Sequence, residues 1–358
     1  MMQNTEKIID RYDFDTYIKP YWFGDFMANE SALFAGEEGT VSLLYTPRDG
    51  VSVRSCDLKT EYREGIDYLL SGNTLTRLKT SSMPYFTNEE LYPREEVARS
   101  KAGKTPDKPW VLFGEGSWIA EHQVFVSYSH DDAWEGFVPV GQSQKFQRTL
   151  QKLENGEPLN LLFFGDSITT GVNSSGKLGF APYADPWPTL VKKGLEKLYP
   201  RAKIHCENTA VGGKKTAWGI ETVEENLLAH KPDLLILGFG MNDRELTPEE
   251  HVAQLKELIE RTQAAIPEIE IAVIATMLPN AETFKFWAKQ SLFEKAYGEL
   301  LLPAHPELAV VPMTSVHGAL LEKKRYLDMT GNNVNHPNDF LARAYAHTVL
   351  KTVTGREL

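Results

Sequence analysis

Four short blocks of the 358-residue chain hold side chains whose types and spacing suit nucleophilic chemistry. Gly165-Asp-Ser167-Ile-Thr169 places a hydroxyl between a β-prone run and a Gly/Ser-rich turn. Such a serine is expected to stand exposed beside backbone N–H groups that favour developing negative charge. A serine hydroxyl is a weak nucleophile until a neighbouring imidazole takes its proton. His336, in Asn333-Val-Asn-His336-Pro-Asn338-Asp339, is a histidine just before a helical run. Asn208-Thr-Ala-Val-Gly-Gly213 and Gly240-Met-Asn242-Asp243 add neutral donors. Backbone N–H groups and an Asn amide suit a tetrahedral oxyanion, where losing one donor typically costs about 10²–10³ in kcat.

These blocks need elements to bring them together. Leu159–Phe164, Ile204–Glu207, Asp233–Phe239, Ile269–Ala275 and Leu308–Val311 read as compact apolar strands. Helical runs separate or follow them at 188–199, 221–229, 248–265, 287–302 and 340–353. Strand and helix in alternation predict a parallel sheet with helices on both faces. Such sheets carry their chemistry at the carboxyl ends of the strands. Three of the four blocks follow a predicted strand, and the fourth precedes the last helix, so all four are expected to meet at one edge.

The N-terminal part has a different rhythm. Runs at 41–45, 51–53, 67–70, 74–78, 110–113 and 123–128 are short, β-prone and broken by turns such as Pro47-Arg-Asp-Gly50. They predict a β-sandwich, jelly-roll-like in kind, with little helix. The charged stretch 88–107, with Pro93 and Gly103, reads as a long loop or an irregular connection. A polar helical connector follows near 146–153. The expected organisation is residues 1–140 as an accessory β-sandwich, 141–157 as connector and 158–358 as the α/β domain. The length accords with a two-domain prior.

In this order the four blocks resemble the SGNH hydrolase superfamily, the GDSL esterases and lipases, over roughly Pro158 to Val353. The resemblance implies a flavodoxin-like three-layer fold and hydrolysis of acyl esters. It implies Ser167 as nucleophile and His336 as general base. The Ser167 and Gly213 N–H groups and the Asn242 amide would form the oxyanion hole. Gly213 stands five positions after Asn208, matching the family's second block, and Gly212 is the alternative. One position departs from the pattern: the family's Asp three residues before the histidine is Asn333 here. An Asn carbonyl can orient His336 but brings no charge, and an Asp-to-Asn change in the serine-protease template costs about 10⁴ in kcat. Asn333 or a main-chain carbonyl is the expected orienting group, with Asp328 and Asp339 as other candidates. A β-sandwich joined to such a domain further resembles the two-domain carbohydrate esterases that remove acetyl groups.

Composition narrows the field. With 38 basic and 49 acidic residues the formal net charge is −11, which opposes non-specific binding to nucleic acid or an anionic membrane. Two cysteines, Cys56 and Cys206, provide neither a disulfide framework nor a Cys-rich zinc site. The histidines show no metal spacing, so neither metal nor other cofactor is expected. Gly238-Phe-Gly240-Met-Asn-Asp243 fails as a dinucleotide fingerprint and Gly212-Gly-Lys-Lys-Thr216 fails as a P-loop. Asp166 and Asp243 are expected to hold their loops by side-chain-to-backbone bonds. Trp187 and Trp218, close in sequence to the blocks, are candidates to stack on a sugar ring. The start of the chain lacks an apolar h-region and no run reaches spanning length, which predicts a cytoplasmic location.

The expected activity is therefore a serine esterase that removes short acyl groups, acetyl above all, from an oligosaccharide through an acyl-serine intermediate. A lipase or thioesterase, and a carbohydrate-binding protein with a weak hydrolase attached, are the alternatives.

Overall fold

The computed structural model describes residues 13–358; part of the chain start read above as lacking an apolar leader lies outside them. The expected alternation is present in the C-terminal part. Numbering strands along the chain, the N-terminal ones are β1 (Phe26–Ala35), β2 (Thr40–Ser42), β3 (Pro47–Ser55), β4 (Glu61–Tyr62) and β5 (Tyr68–Ser71). They continue with β6 (Thr74–Arg77), β7 (Tyr85–Phe86), β8 (Ser100–Thr105), β9 (Lys108–Leu112) and β10 (Gln123–His130). The C-terminal strands are β11 (Pro158–Gly165), β12 (Lys203–Asn208), β13 (Leu234–Gly238), β14 (Glu270–Ala275) and β15 (Ala309–Pro312).

The last five form one parallel sheet in the order β12-β11-β13-β14-β15, the flavodoxin-like order with its crossover beside β11. Their apolar runs are continuous because both faces are covered. Leu161 and Phe163 face one core with the helices Trp187–Leu198 and Asp339–Thr354. Leu162 and Phe164 face a second core with the helix Pro248–Ala265. That helix begins with Pro248 behind a Thr247–Glu250 capping box, which satisfies backbone donors at its start.

The N-terminal strands divide into a five-stranded sheet β4-β3-β10-β1-β7, a three-stranded sheet β2-β6-β5 and the β8–β9 hairpin. Val41, Tyr68 and Leu75 of the three-stranded sheet share a core with Ala32, Phe34, Val53 and Val126 of the larger one. Two departures from the sequence expectation stand out here. Strand β1, an inner strand of its sheet, shows no apolar alternation because Glu30 and Ser31 lie fully buried within it. The stretch 88–107, expected to be a loop or an irregular connection, contains the helix Asn88–Leu91 and strand β8. Among the helices, 221–229 is broken into shorter turns, 287–302 mixes 3-10, α and π turns, and Met313–Leu321 is an additional helix outside the expected runs.

The two parts are stitched together through polar groups that would be costly to bury alone. Lys324 Nζ lies 2.6 Å from Glu30 Oε1, with both side chains fully buried. Glu30 also accepts from Leu44 N and the Tyr128 hydroxyl. Asn338 Nδ2 reaches Ser31 and Gln123, and Arg343 Nη1 donates to Ala28 O at 2.7 Å. The helix Asp339–Thr354 is consequently buried almost all round. The hairpin docks separately: Lys104 N donates to Glu282 O and Phe284 N to Ala102 O, both at 2.8 Å.

Candidate active site

The carboxyl ends of the parallel strands bring the blocks to one edge. Gly165 ends β11 in close packing: a Cβ there would lie 2.2 Å from Gly238 O, so only glycine allows β11 and β13 to approach. Asp166 then accepts from Ile168 N at 2.9 Å, holding the turn that carries Ser167. Burial pushes the Asp166 carboxyl up to about 7, with the charge of Asp243 adding and the Ile168 N–H opposing. The segment after Ser167 is a run of turns, Thr170 N to Asp166 O and Gly171 N to Ile168 O, rather than the start of a helix. Ser167 is 8% exposed, not freely presented as expected, because the other loops close over it.

Ser167 Oγ and His336 Nε2 stand 3.0 Å apart. His336 is carried by a loop wound around Asn332, whose Oδ1 accepts from the N–H groups of Val334, Asn335 and His336 at 2.9–3.0 Å. Those three bonds fix which end of the Asn332 amide is oxygen. Its Nδ2 then donates to Glu115 Oε1 at 2.9 Å and Asn335 Oδ1 at 3.0 Å.

On the far side of the ring, Nδ1 lies 2.8 Å from Asn173 Oδ1, 2.9 Å from Asn332 Nδ2 and 3.3 Å from Glu115 Oε2. Asn173 is oriented by its own Nδ2, which donates to Gly116 O and Gly331 O. Burial raises the Glu115 carboxyl, but the hydrogen bond and charge of His336, with the Asn332 amide, outweigh it and hold it below its ordinary value. Neither residue was singled out by sequence. Asn173 does occur in the Gly/Ser-rich turn after Ser167, at a left-handed φ of 66° that Asn tolerates.

Asn333 does not orient the imidazole. Its φ of 63° turns the side chain away, so that Nδ2 donates to Leu112 O at 3.0 Å and Oδ1 accepts from Asn280 at 3.1 Å. Asp328 is taken up by Leu33 N and Arg325, and Asp339 by Ser175 N.

The donor loops converge as well. A Cβ on Gly212 would stand 3.7 Å from Ser167 Cβ, while Gly213 has a φ of 76° and open space before it. Asn242 Nδ2 donates to Lys214 O at 3.0 Å, and Asp243 accepts from Thr216 N at 3.0 Å, tying the β13 loop to the β12 loop. Among the described residues, none accepts from the N–H of Ser167 or Gly213.

The two tryptophans lie elsewhere. Trp187 is fully buried, stacked on Tyr345, with its indole N–H on Ile168 O at 2.7 Å. It is a core residue that supports the Ser167 turn, and it cannot stack on a sugar. Trp218 is half-buried against Phe164 and Phe239 on the second core. Among the described residues no group of three or more His, Cys, Asp or Glu could hold a metal, and no helix is long and apolar enough to cross a membrane.

The signature of the GDSL-like lipase/acylhydrolase family matches residues 163–344, half of the chain. No curated protein matches this chain. Among solved structures, a two-domain esterase (CEX) active on acetylated mannans is similar at 22% identity with a TM-score of 0.50, over 62% of this chain and 56% of that one. Axe2, an acetylxylan esterase from Geobacillus stearothermophilus, gives 20% identity and a TM-score of 0.46 over 56% of this chain and 95% of that one. LAE5, an α/β hydrolase enzyme from the metagenome of Lake Arreo, Spain, gives 19% and 0.46 over 55% and 95%. The chain thus spans little more than half the length of the two-domain esterase, and the likeness is one of fold. With its four blocks at the edge of a flavodoxin-like sheet, the chain belongs to the GDSL-like lipase/acylhydrolase family.

Proposed function

We propose that the protein is a serine esterase that removes acetyl groups from carbohydrates. The observation that carries this reading is the 3.0 Å approach of Ser167 Oγ to His336 Nε2, with an acceptor at Nδ1 that leaves Nε2 free to act as a base. As Ser167 Oγ bonds to the ester carbonyl carbon, its proton passes to Nε2 and the carbonyl π pair moves onto oxygen. The N–H groups of Ser167 and Gly213 and the Asn242 amide stabilise that oxyanion. Collapse breaks the bond to the sugar oxygen, which leaves with the proton from Nε2. Water then repeats the sequence on the acyl-serine, releasing acetate and restoring the serine.

The low exposure of Ser167 supports a small acyl group over a long one. The carbohydrate part of the reading follows the two-domain esterase, which acts on acetylated mannans. Residues 1–140, 141–157 and 158–358 are accordingly taken as accessory domain, connector and hydrolase domain.

The test is acetate release from acetylated manno- and xylo-oligosaccharides, beside 4-nitrophenyl acetate and a long-chain 4-nitrophenyl ester, with Ser167→Ala as control. Ser167-dependent release from the sugars is expected, with the long-chain ester turned over poorly. Turnover of the nitrophenyl esters alone would overturn the sugar assignment, and turnover that survives Ser167→Ala would overturn the serine mechanism.

A further inference from the structure

Asn333, where the family pattern has an aspartate, leaves His336 without that partner, and the fold brings another carboxylate to the ring. The loop Gly114–Gly116 runs on from hairpin strand β9 in the N-terminal part and enters between Asn173 and Asn332. Three contacts fix it there. Gly114 N donates to Asn332 O at 3.3 Å, Gly116 O accepts from Asn173 Nδ2 at 3.2 Å, and Leu112 O accepts from Asn333 Nδ2 at 3.0 Å. The two glycines suit this insertion. Gly116 has a φ of 82°, and a Cβ on Gly114 would stand 3.0 Å from the Trp118 ring. Between them, Glu115 has one carboxylate oxygen on Asn332 Nδ2 at 2.9 Å and the other 3.3 Å from His336 Nδ1.

We propose that Glu115, supplied by the N-terminal β-rich part, is the acid partner of His336, so that the catalytic apparatus spans both parts of the chain. This rests on Ser167 and His336 acting as proposed above. Two positioning residues divide what one aspartate does elsewhere. Asn173, at 2.8 Å, accepts the Nδ1 proton and fixes the tautomer. Glu115, slightly farther away, places a full negative charge beside the imidazolium formed when Ser167 gives up its proton. Asn332 Nδ2 lies 2.9 Å from Glu115 Oε1, 3.0 Å from Asn335 Oδ1 and 2.9 Å from His336 Nδ1, so it holds the carboxylate beside the ring. The charge of Lys101 also favours the ionised form of Glu115.

The Glu115 side chain is 48% exposed, so its charge is partly screened and its effect falls below that of a buried aspartate. Glu115→Gln keeps the shape and removes the charge. It is expected to lower kcat on 4-nitrophenyl acetate by about 10–100-fold, with KM within about twofold, against the about 10⁴ of the buried case. The acid limb of its kcat/KM profile should move to lower pH, since an anion that favours imidazolium is gone. Glu115→Asp should recover part of kcat. An unmoved pH profile, or kcat within about threefold of the parent, would overturn the proposal.

NMR titration of the His336 ring in the parent and in Glu115→Gln separates this idea from the esterase reading. A lower midpoint in the variant supports the pairing, and coincident midpoints overturn it, whether or not turnover proves to depend on Ser167.

Discussion

Replacing Asn333 by Asp would install the residue that the family pattern has three positions before the histidine, and the structure predicts harm from it. Asn333 is 2% exposed, and its side chain points at the end of β9. Asn333→Asp removes the donor to Leu112 O, and a buried carbonyl left unsatisfied costs about 1–3 kcal/mol. It also sets a buried carboxylate against that carbonyl, an effective penalty of several kcal/mol. The Asn280 amide at 3.1 Å would become a charge-assisted donor and return about 1 kcal/mol. The net expectation is a loss of about 3–5 kcal/mol, measured by urea unfolding followed by tryptophan fluorescence. Activity should fall too, because the lost bond anchors the strand that delivers Glu115. The introduced carboxyl would titrate above its unfolded value in the fold. The penalty is therefore fully present at neutral pH and fades as pH falls toward about 4, where the neutral acid can donate to Leu112 O. An Asn333→Asp variant as stable as its parent, or a faster enzyme, would refute this account of why the family's aspartate is absent here.

Other consequences follow from the same contacts. Lys324→Met strands the fully buried Glu30 carboxylate and is expected to cost about 3–5 kcal/mol in urea unfolding, part of which returns in the double variant with Glu30→Gln. Asn242→Ala should lower kcat by about 10²–10³ with little change in KM in steady-state assays. Burial holds the Asp339 carboxyl up to about 6, so its contribution to stability is complete below about 4 and is lost as pH rises through about 6. Asp339→Asn should therefore remove about 2–3 kcal/mol of decline between those limits, read from denaturation at a series of pH values.

The residues legible in sequence were those whose environment is local. Strands β11, β13 and β14 announce themselves because burial on both faces demands continuous apolar runs. Ser167 and His336 sit in loops that such strands and the last helix must place at one edge. Strand β1 was not legible, since its burial relies on Lys324 and Asp328, almost 300 residues away in sequence, to satisfy Glu30 and Ser31. Trp187 looked available to a ligand by its nearness to the Ser167 turn, yet its indole fills the core beneath that turn.

What the sequence alone determined, then, was the scaffold and the residues it carries to one edge: a serine, a histidine and neutral donors on an alternating β/α chain. Tertiary structure decided what stands behind the histidine. Adjacent residues Asn332 and Asn333 look interchangeable in sequence, but a left-handed φ at Asn333 sends it to β9 and leaves Asn332 to wrap the His336 loop. Glu115 lies 221 residues from His336, and nothing in its neighbourhood marks it as a partner for an imidazole. Hydrogen bonds of a few ångströms select partners by position in space. That position was set only when the hairpin docked on the parallel-sheet part and carried a carboxylate to the ring.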